Sequence, residues 1–232
     1  MGRKDVSQFP QIVKQWIEME KEANERYYAE HPDALTLQFE NDLRELGFEF
    51  EVLSQTEGFM PEYKETLLPI VAKYYRKAES QNDRKTFLSY FSHKGFEELV
   101  PLLLESFDPM QPDKALWEAG NCLYEIRSKK HVDDYLKIII EPAFGTSRRM
   151  IVMLIGKLRV EKAVPILIDL LEDEEVRLHA ITALGDFKRE EFRPYFERFE
   201  NDKHPGWRKY SRAALKKLDK QKEKNAKDDM QP

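Results

Sequence analysis

The stretch 163–187, AVPILIDLLEDEEVRLHAITALGDF, places apolar residues at helical spacing on both sides of an acidic turn. Val164, Leu167 and Leu171 share one face of a first predicted helix, and Ala180 and Leu184 share one face of a second. Helices this short are marginal on their own, so the pair needs neighbours that cover its apolar faces. The stretch therefore constrains the chain to a fold in which further helices pack against this pair.

Imperfect copies of the pair recur along the chain and are marked by two columns of residues. The first column has intervals of 32, 32, 32 and 29 residues and consists of Pro69, Pro101, Asp133, Pro165 and Pro194. The second column consists of Arg84, Leu116, Arg148, Arg177 and Arg208. Each of its first four members lies 17 residues before the next member of the first column, whereas the distance within a copy varies from 12 to 15. A fixed joint between copies and a variable turn inside them predict a stacked array.

We therefore predict an all-α solenoid of about five helix pairs, at 62–95, 96–130, 131–162, 163–191 and 192–219. Residues 1–61 are predicted to form an N-terminal helical cap and linker, with helices at 10–28 and 33–46. An apolar patch in the first of these helices, Ile12, Val13, Trp16, Ile17 and Met19, is expected to help cap the first repeat. The segment 48–52, FEFEV, has no strand partner and is predicted to be an extended linker. The Lys-rich stretch 220–232 is predicted to be a disordered tail.

Composition and cysteine content narrow the class of protein. The 232 residues are 41% hydrophobic and 35% charged, and no run of eighteen apolar residues could span a membrane. Cys122 is the single cysteine, which excludes an internal disulfide and a thiolate zinc cluster. The first sixteen residues lack the apolar region of a secretory signal, and Val6 breaks a myristoylation motif after Gly2. A cytoplasmic location is the expectation from these features.

The two ends of the chain carry opposite charge. Residues 18–57 hold twelve acidic and three basic residues, a net of −9, and residues 203–227 hold ten basic and two acidic, a net of +8. Such ends can simply be solvated caps of a long molecule. They can also associate end to end or contact a partner of opposite charge.

The copy at 163–191 resembles the HEAT-repeat family and the HEAT-like repeats named after phycobilisome lyases. The matching residues are Pro165, Asp173, Val176, Arg177, Ala180, Ala183, Leu184 and Gly185. Two further patterns, Trp-x-x-Gly-Asn-x-Leu at 117–123 and Gly-x-x-Arg-x-Met at 145–150, are similar to small bacterial HEAT-like proteins. The resemblance is partial in the other copies and absent before about residue 63. It implies a right-handed solenoid that mostly binds proteins, although the family also contains enzymes.

The resemblance further implies that the second helices line a concave face. The side chains one and five residues after each member of the arginine column should point toward that face. The predicted partner-binding patch on that face consists of Lys85, Trp117, Asn121, Arg148, Arg149 and Met153. Gly120, inside a predicted helix, indicates close approach of another backbone or a ligand.

The alternative interpretation of these residues is structural: Arg148 and Arg177 would bind turn carboxylates such as Asp173, and Trp117 would pack under the turn 107–113. The longer turns 106–114 and 141–149 are a second candidate edge for binding.

The sequence favours a protein without catalytic activity, metal or cofactor. It contains no Gly-rich phosphate loop, no HExxH and no G-x-S-x-G. No histidine precedes a glutamate, unlike the metal-binding pairs of HEAT-like deoxyhypusine hydroxylases, and His179 stands alone near the corresponding position. Cys122 is expected to face the core and to be unreactive.

The predicted function is that of a protein-binding scaffold or adaptor, such as an inhibitor or regulator of another protein. A DNA-repair-type or other nucleic-acid-binding protein stays open as an alternative, as does a chromophore-lyase-type enzyme. The nucleic-acid alternative depends on a basic column with one aromatic residue: Lys85, Arg149 and Lys209, with Trp117. Glu118 and Leu178 interrupt that column, and the acidic N-terminal cap would repel a duplex.

Overall fold

The computed structural model describes residues 10–90, 96–111 and 117–228. Helices dominate these ranges, and no strand occurs within them, so the predicted all-α class is confirmed for the described part of the chain. The chain divides into two compact units, 1–91 and 92–232. The predicted pair at 62–95 corresponds to two helices that belong to the first unit.

The first unit contains four α-helices and one 3-10 helix in its described residues: α1 (Gln11–Glu30), α2 (Leu35–Glu45), the 3-10 helix Leu53–Phe59, α3 (Lys64–Lys77) and α4 (Gln81–Ser89). Its core centres on Phe39, which is fully buried. The ring of Phe39 makes edge contacts with Tyr74, Phe87 and Tyr90 at centroid distances of 5.2, 5.3 and 5.5 Å. Aromatic edge contacts of this kind add to the free energy gained by burying the rings.

The apolar patch predicted on α1 is largely uncovered, which corrects the sequence prediction. Ile17 is buried, but the side chains of Ile12, Trp16 and Met19 are 58%, 66% and 66% exposed. At about 100° per residue, the five predicted residues span about 160° of the helix circumference. The unit covers only the side that carries Ile17, so α1 contributes one buried edge and leaves an apolar face in solvent.

The predicted linker is a packed segment instead of an extended one. Phe48, Val52 and Met60 are buried, and the 3-10 helix Leu53–Phe59 lies between the last two. The side chain of Gln55 accepts hydrogen bonds from the backbone N–H groups of Glu51 and Val52, at 2.7 and 3.3 Å. A side chain thus satisfies the backbone donors that would otherwise need a partner strand, and the apolar residues of this segment can enter the core.

The second unit consists of four helix pairs in its described residues: α5 (Val100–Leu104) with α6 (Trp117–Ile126), α7 (Val132–Ile140) with α8 (Arg149–Leu158), α9 (Val164–Asp169) with α10 (Arg177–Phe187), and α11 (Arg193–Glu197) with α12 (Pro205–Asp228). The second helices α6, α8, α10 and α12 pack side by side in that order. Pro101, Pro165 and Pro194 are the second residues of α5, α9 and α11, within the first turn, where a backbone N–H has no intrahelical acceptor and its absence costs nothing.

Three members of the arginine column close the turn inside their own copies. Arg84, Arg177 and Arg208 each donate to the carbonyl oxygen of the residue six positions earlier, at 2.9, 2.6 and 2.6 Å. These carbonyl groups lie at the end of the preceding helix or in the turn after it, where the backbone acceptors lack intrahelical partners. Capping of the turn therefore explains why arginine recurs at this position. The structural alternative predicted part of this result, since it placed Arg148 and Arg177 in the turns.

Small residues set the spacing between the second helices. A Cβ atom built on Gly156 would lie 2.3 Å from Cα of Ala183, and one built on Gly185 would lie 3.1 Å from Cβ of Ala214. Glycine is therefore required at 156 and favoured at 185. Because neighbouring second helices approach this closely, their outward residues form one continuous surface.

The prediction of a disordered tail from residue 220 is wrong for residues 220–228, because α12 continues to Asp228. No Gly or Pro occurs between 207 and 228, and Lys, Gln, Glu and Ala are good helix formers. Leu215 and Leu218 are buried and anchor the helix, so each further residue extends a turn that already exists. Residues 229–232 lie outside the described part.

Candidate functional site

Four of the six predicted patch residues lie on adjacent second helices of the second unit. Trp117 and Asn121 are on α6, and Arg149 and Met153 are on α8. We call these four residues the second-helix face. A Cβ atom built on Gly120 would lie 3.2 Å from the carbonyl oxygen of Ser147 and 3.4 Å from Cβ of Met150. The prediction of close approach at Gly120 is confirmed, and the approaching group is the backbone that leads into α8.

Trp117 is the prominent residue of the second-helix face. It begins α6, and its side chain is 44% exposed. The alternative that it packs under the turn 107–113 involves residues 112 and 113, which lie outside the described residues. Asn121, Arg149 and Met153 are each partly buried, so Trp117 projects furthest from this surface.

Arg148 is not available to a partner, which corrects its assignment to the recognition patch. It is only 1% exposed, and its guanidinium donates to the carbonyl oxygens of Gly145 and Ile139 at 3.0 and 3.3 Å. It also donates to Asp173 at 2.8 Å and to Glu175 at 3.2 Å. These four acceptors come from the end of α7, the turn after it and the turn before α10, so Arg148 joins two neighbouring repeats.

Arg149, the next residue, is the first residue of α8 and is partly exposed. Its Nε donates to the carbonyl oxygen of Glu175 at 2.8 Å, which holds the guanidinium at the start of α10. Glu175 therefore accepts from both arginines, through its carboxylate for Arg148 and its backbone for Arg149. The acidic turn EDEE at 172–175 was the signal for this role, and the structural alternative, in which Arg148 binds a turn carboxylate such as Asp173, is confirmed.

His179 lies on α10 beside Arg149. Within the described residues its Nδ1 is buried without a hydrogen-bond partner. Burial, together with the positive charge of Arg149, lowers the pKa of His179 from 6.5 to about 4. The imidazole is therefore neutral at pH 7. Among the described residues, no three His, Cys, Asp or Glu side chains are grouped so that they could hold a metal ion.

The low pKa of His179 predicts that the second unit loses stability in mild acid. Between pH 6.5 and about 4 the unfolded chain binds a proton that the folded unit resists, so the free energy of unfolding falls as pH is lowered. After allowance for partial exposure, the loss between pH 7 and pH 5 should be about 1 kcal/mol. Urea unfolding at both pH values would measure it.

His179→Gln is the control for this pH dependence, because glutamine stays neutral throughout. The variant should lose about 1 kcal/mol less than the wild type between pH 7 and pH 5. An identical loss in both proteins would mean that His179 titrates at its ordinary pKa.

The remaining positions of the predicted concave column have different environments. Lys85 lies on α4 and therefore in the first unit, apart from the other five predicted residues. Leu178 packs close to Gly206 at the start of α12. The hydroxyl of Thr182 donates to the carbonyl oxygen of Leu178 at 2.9 Å, so it is used within its own helix.

Charges of both signs are mixed among the second helices. Glu125, Lys157, Asp186 and Lys217 occupy the same position, nine residues after the arginine column, on successive second helices. Asp186 and Lys217 form an ion pair between α10 and α12 at 2.6 Å. The second helices thus present alternating charges instead of one continuous positive stripe.

The two longer turns border a separate groove between α5 and α7, with a volume of about 610 Å³. The rings of Phe107 and Phe144, one from each turn, make an edge contact at 5.5 Å. On the polar side of the groove, Asp134 pairs with Lys137 at 3.1 Å and with His131 at 3.6 Å. Its polar groups are thus engaged with one another, which makes it a weaker candidate than the second-helix face.

Stacked helix pairs with a fixed joint and closely spaced second helices define the second unit as a helical-repeat structure. Residues 132–216 match the family model of HEAT repeats, a range that covers α7 to α11 and half of α12. The match shows HEAT repeats over that range, as the columns predict for it. No curated protein was found to match this sequence. Among the described helices, none is long and apolar enough to cross a membrane.

Proposed function

We propose that this chain is a non-catalytic scaffold or adaptor that binds a partner protein through the second-helix face. The observation that carries the proposal is the exposed Trp117 on α6, a helix that packs against α8, which carries Arg149 and Met153. HEAT repeats commonly mediate protein–protein interaction. Trp, Arg and Met are also the residue types that are enriched at the centres of such interfaces.

The geometry supports Trp117 as the anchor of this interface. α6 is fixed against α8 by the close contact at Gly120, so the indole is presented by a rigid element. Arg149 is held in place by Glu175, so little side-chain entropy is lost when a partner carboxylate binds its guanidinium. A rigid aromatic residue with an adjacent oriented cation is typical of a binding hot spot.

A protein partner fits this face better than a nucleic acid does. A groove for nucleic acid needs continuous positive charge, whereas Glu118, Glu125 and Asp186 interrupt the basic residues of the second helices. The proposed absence of catalysis is supported by Cys122, whose thiol is buried and not presented as a nucleophile. We further propose that the helix pairs form a right-handed array related to the phycobilisome-lyase repeats. The proposal also includes a cytoplasmic location and a role as an inhibitor or regulator of the partner.

Trp117→Ala is expected to lower the recovery of a specific partner from native lysate by at least about tenfold, as removal of a hot-spot aromatic residue does. The measurement is quantitative mass spectrometry of proteins cross-linked to wild type and variant. Thermal unfolding should stay cooperative with a modest loss of stability, because just over half of Trp117 is covered within its own unit.

Ile140→Ala is the matched control, since Ile140 is 55% exposed and lies on α7, a first helix. This variant should recover the partner as the wild type does. Equal recovery by Trp117→Ala and wild type would contradict the proposed face. Salt-sensitive recovery of nucleic acid in place of a protein would favour the nucleic-acid alternative.

A further inference from the structure

The α1 helix carries a second apolar surface, unrelated to the second-helix face. Ile12, Trp16 and Met19 are spaced by four and three residues, so they line up on one side of the helix. More than half of each side chain is exposed. We call these three residues the α1 stripe. Three large apolar side chains in a row are costly to leave in water, and such a surface marks an interaction site.

Acidic side chains border the α1 stripe. Glu18, Glu22 and Glu25 are exposed on the same helix. From residue 18 to residue 30 the helix holds five acidic and two basic residues, a net of −3. Glu22 and Glu25 also line an open depression on the surface of α1, together with Arg26 and Ala29, so two acidic residues face one basic residue there. The stripe thus combines an apolar seam with a negatively charged border.

We propose that the α1 stripe docks an amphipathic helix of another protein, one whose apolar seam is flanked by lysine and arginine. A helix with apolar anchors at intervals of three and four residues matches the spacing of Ile12, Trp16 and Met19. Lysine or arginine beside that seam would pair with Glu18, Glu22 and Glu25 at the border. Apolar contact supplies affinity, and the charges fix orientation and exclude acidic partners.

A second copy of this chain fits the α1 stripe poorly. Two α1 helices packed on each other would bring their glutamates together. The exposed end of α12 is basic, but from 220 to 227 its largest apolar side chain is Ala226, so it offers no anchor for Trp16. An anionic membrane would likewise be repelled by the acidic border. A cationic amphipathic helix from a different protein satisfies both the apolar and the charged parts of the surface.

Two synthetic 18-residue helices test this proposal on the full chain. One carries leucine at the seam and lysine elsewhere, and the other carries leucine and glutamate in the same pattern. Fluorescence anisotropy of the labelled peptides should give a dissociation constant at least about tenfold lower for the lysine peptide.

The double variant Trp16→Gln with Met19→Gln should raise the dissociation constant of the lysine peptide by at least about tenfold, because both anchors are lost. Glu18→Gln with Glu22→Gln and Glu25→Gln should weaken binding at 50 mM salt more than at 500 mM.

Ile140→Gln is the matched control, since Ile140 is an apolar residue of similar exposure on the second unit. It should leave peptide binding unchanged, and a loss of binding in this variant would overturn the proposal by locating the site in the α5–α7 groove. Equal affinity for both peptides, or no effect of the stripe variant, would overturn it as well. A dimer in sedimentation that the stripe variant abolishes would assign the surface to a second copy, and stripe-dependent binding to anionic vesicles would assign it to a membrane.

Discussion

Gly156→Ala is expected to lower the free energy of unfolding of the second unit by about 2–3 kcal/mol. The added methyl group would lie 2.3 Å from Cα, 2.6 Å from Cβ and 2.7 Å from the carbonyl oxygen of Ala183. Two of those atoms belong to the backbone of α10, so a rotamer change cannot relieve the overlap, and α8 and α10 must separate. Alanine gains about 1 kcal/mol in helix propensity over glycine, which offsets only part of the cost.

Urea unfolding monitored by tryptophan fluorescence would measure this loss. A Trp16→Phe background leaves Trp117 and Trp207, so that the signal reports on the second unit alone. Gly185→Ala is the matched control. Its methyl group would meet Cβ of Ala214 at 3.1 Å, which a small shift can relieve, so its stability should stay within about 1 kcal/mol of the wild type.

Ala183→Gly should fail to rescue Gly156→Ala, because the closest atom is the Cα that remains in glycine. A double variant as stable as the wild type would contradict backbone contact as the cause. A Gly156→Ala protein that unfolds at a higher urea concentration than the wild type would show that helix propensity outweighs the contact.

Arg148→Met is expected to cost about 3 kcal/mol, the second large effect. The guanidinium is buried and donates to two carbonyl oxygens and two carboxylates, and methionine replaces none of these bonds. The expected loss is at the lower end for a broken buried ion pair, because the side chains of Asp173 and Glu175 are 28% and 50% exposed and can be partly hydrated.

Arg149→Met is the matched control, an identical substitution at the adjacent residue. Arg149 has one hydrogen bond to the backbone of Glu175 at a partly exposed site, so the expected loss is below about 1 kcal/mol. Arg148→Lys should fall between the two, since a single ammonium group cannot reach acceptors on both sides of the turn. Equal losses at 148 and 149 would contradict the structural role assigned to Arg148.

The comparison of Arg148 with Arg149 illustrates the limit of the sequence prediction. Both are arginines at the start of α8, and both were placed in the predicted patch, with binding of Arg148 to a turn carboxylate such as Asp173 as the structural alternative. Neighbouring helical positions differ by about 100° in direction, so one side chain enters the turn between repeats while the other remains at the surface. Which of the two enters depends on Asp173 and Glu175, residues about 25 positions away.

The sequence by itself determined the all-α class, the pairing of short helices and the recurrence of those pairs along the chain. Those features are local, because periodic apolar residues and helix-start signals act within one or two turns. It also indicated Gly120 as a point of close approach.

Only the tertiary structure decided which apolar and charged side chains are covered. It left Ile12, Trp16 and Met19 of α1 in solvent and packed the segment 48–60 into the core. It also buried Arg148 and brought Gly156 against Ala183. The physical reason is that coverage depends on residues distant in the sequence, and the same amphipathic pattern arises whether a neighbouring helix or a partner protein buries the apolar face.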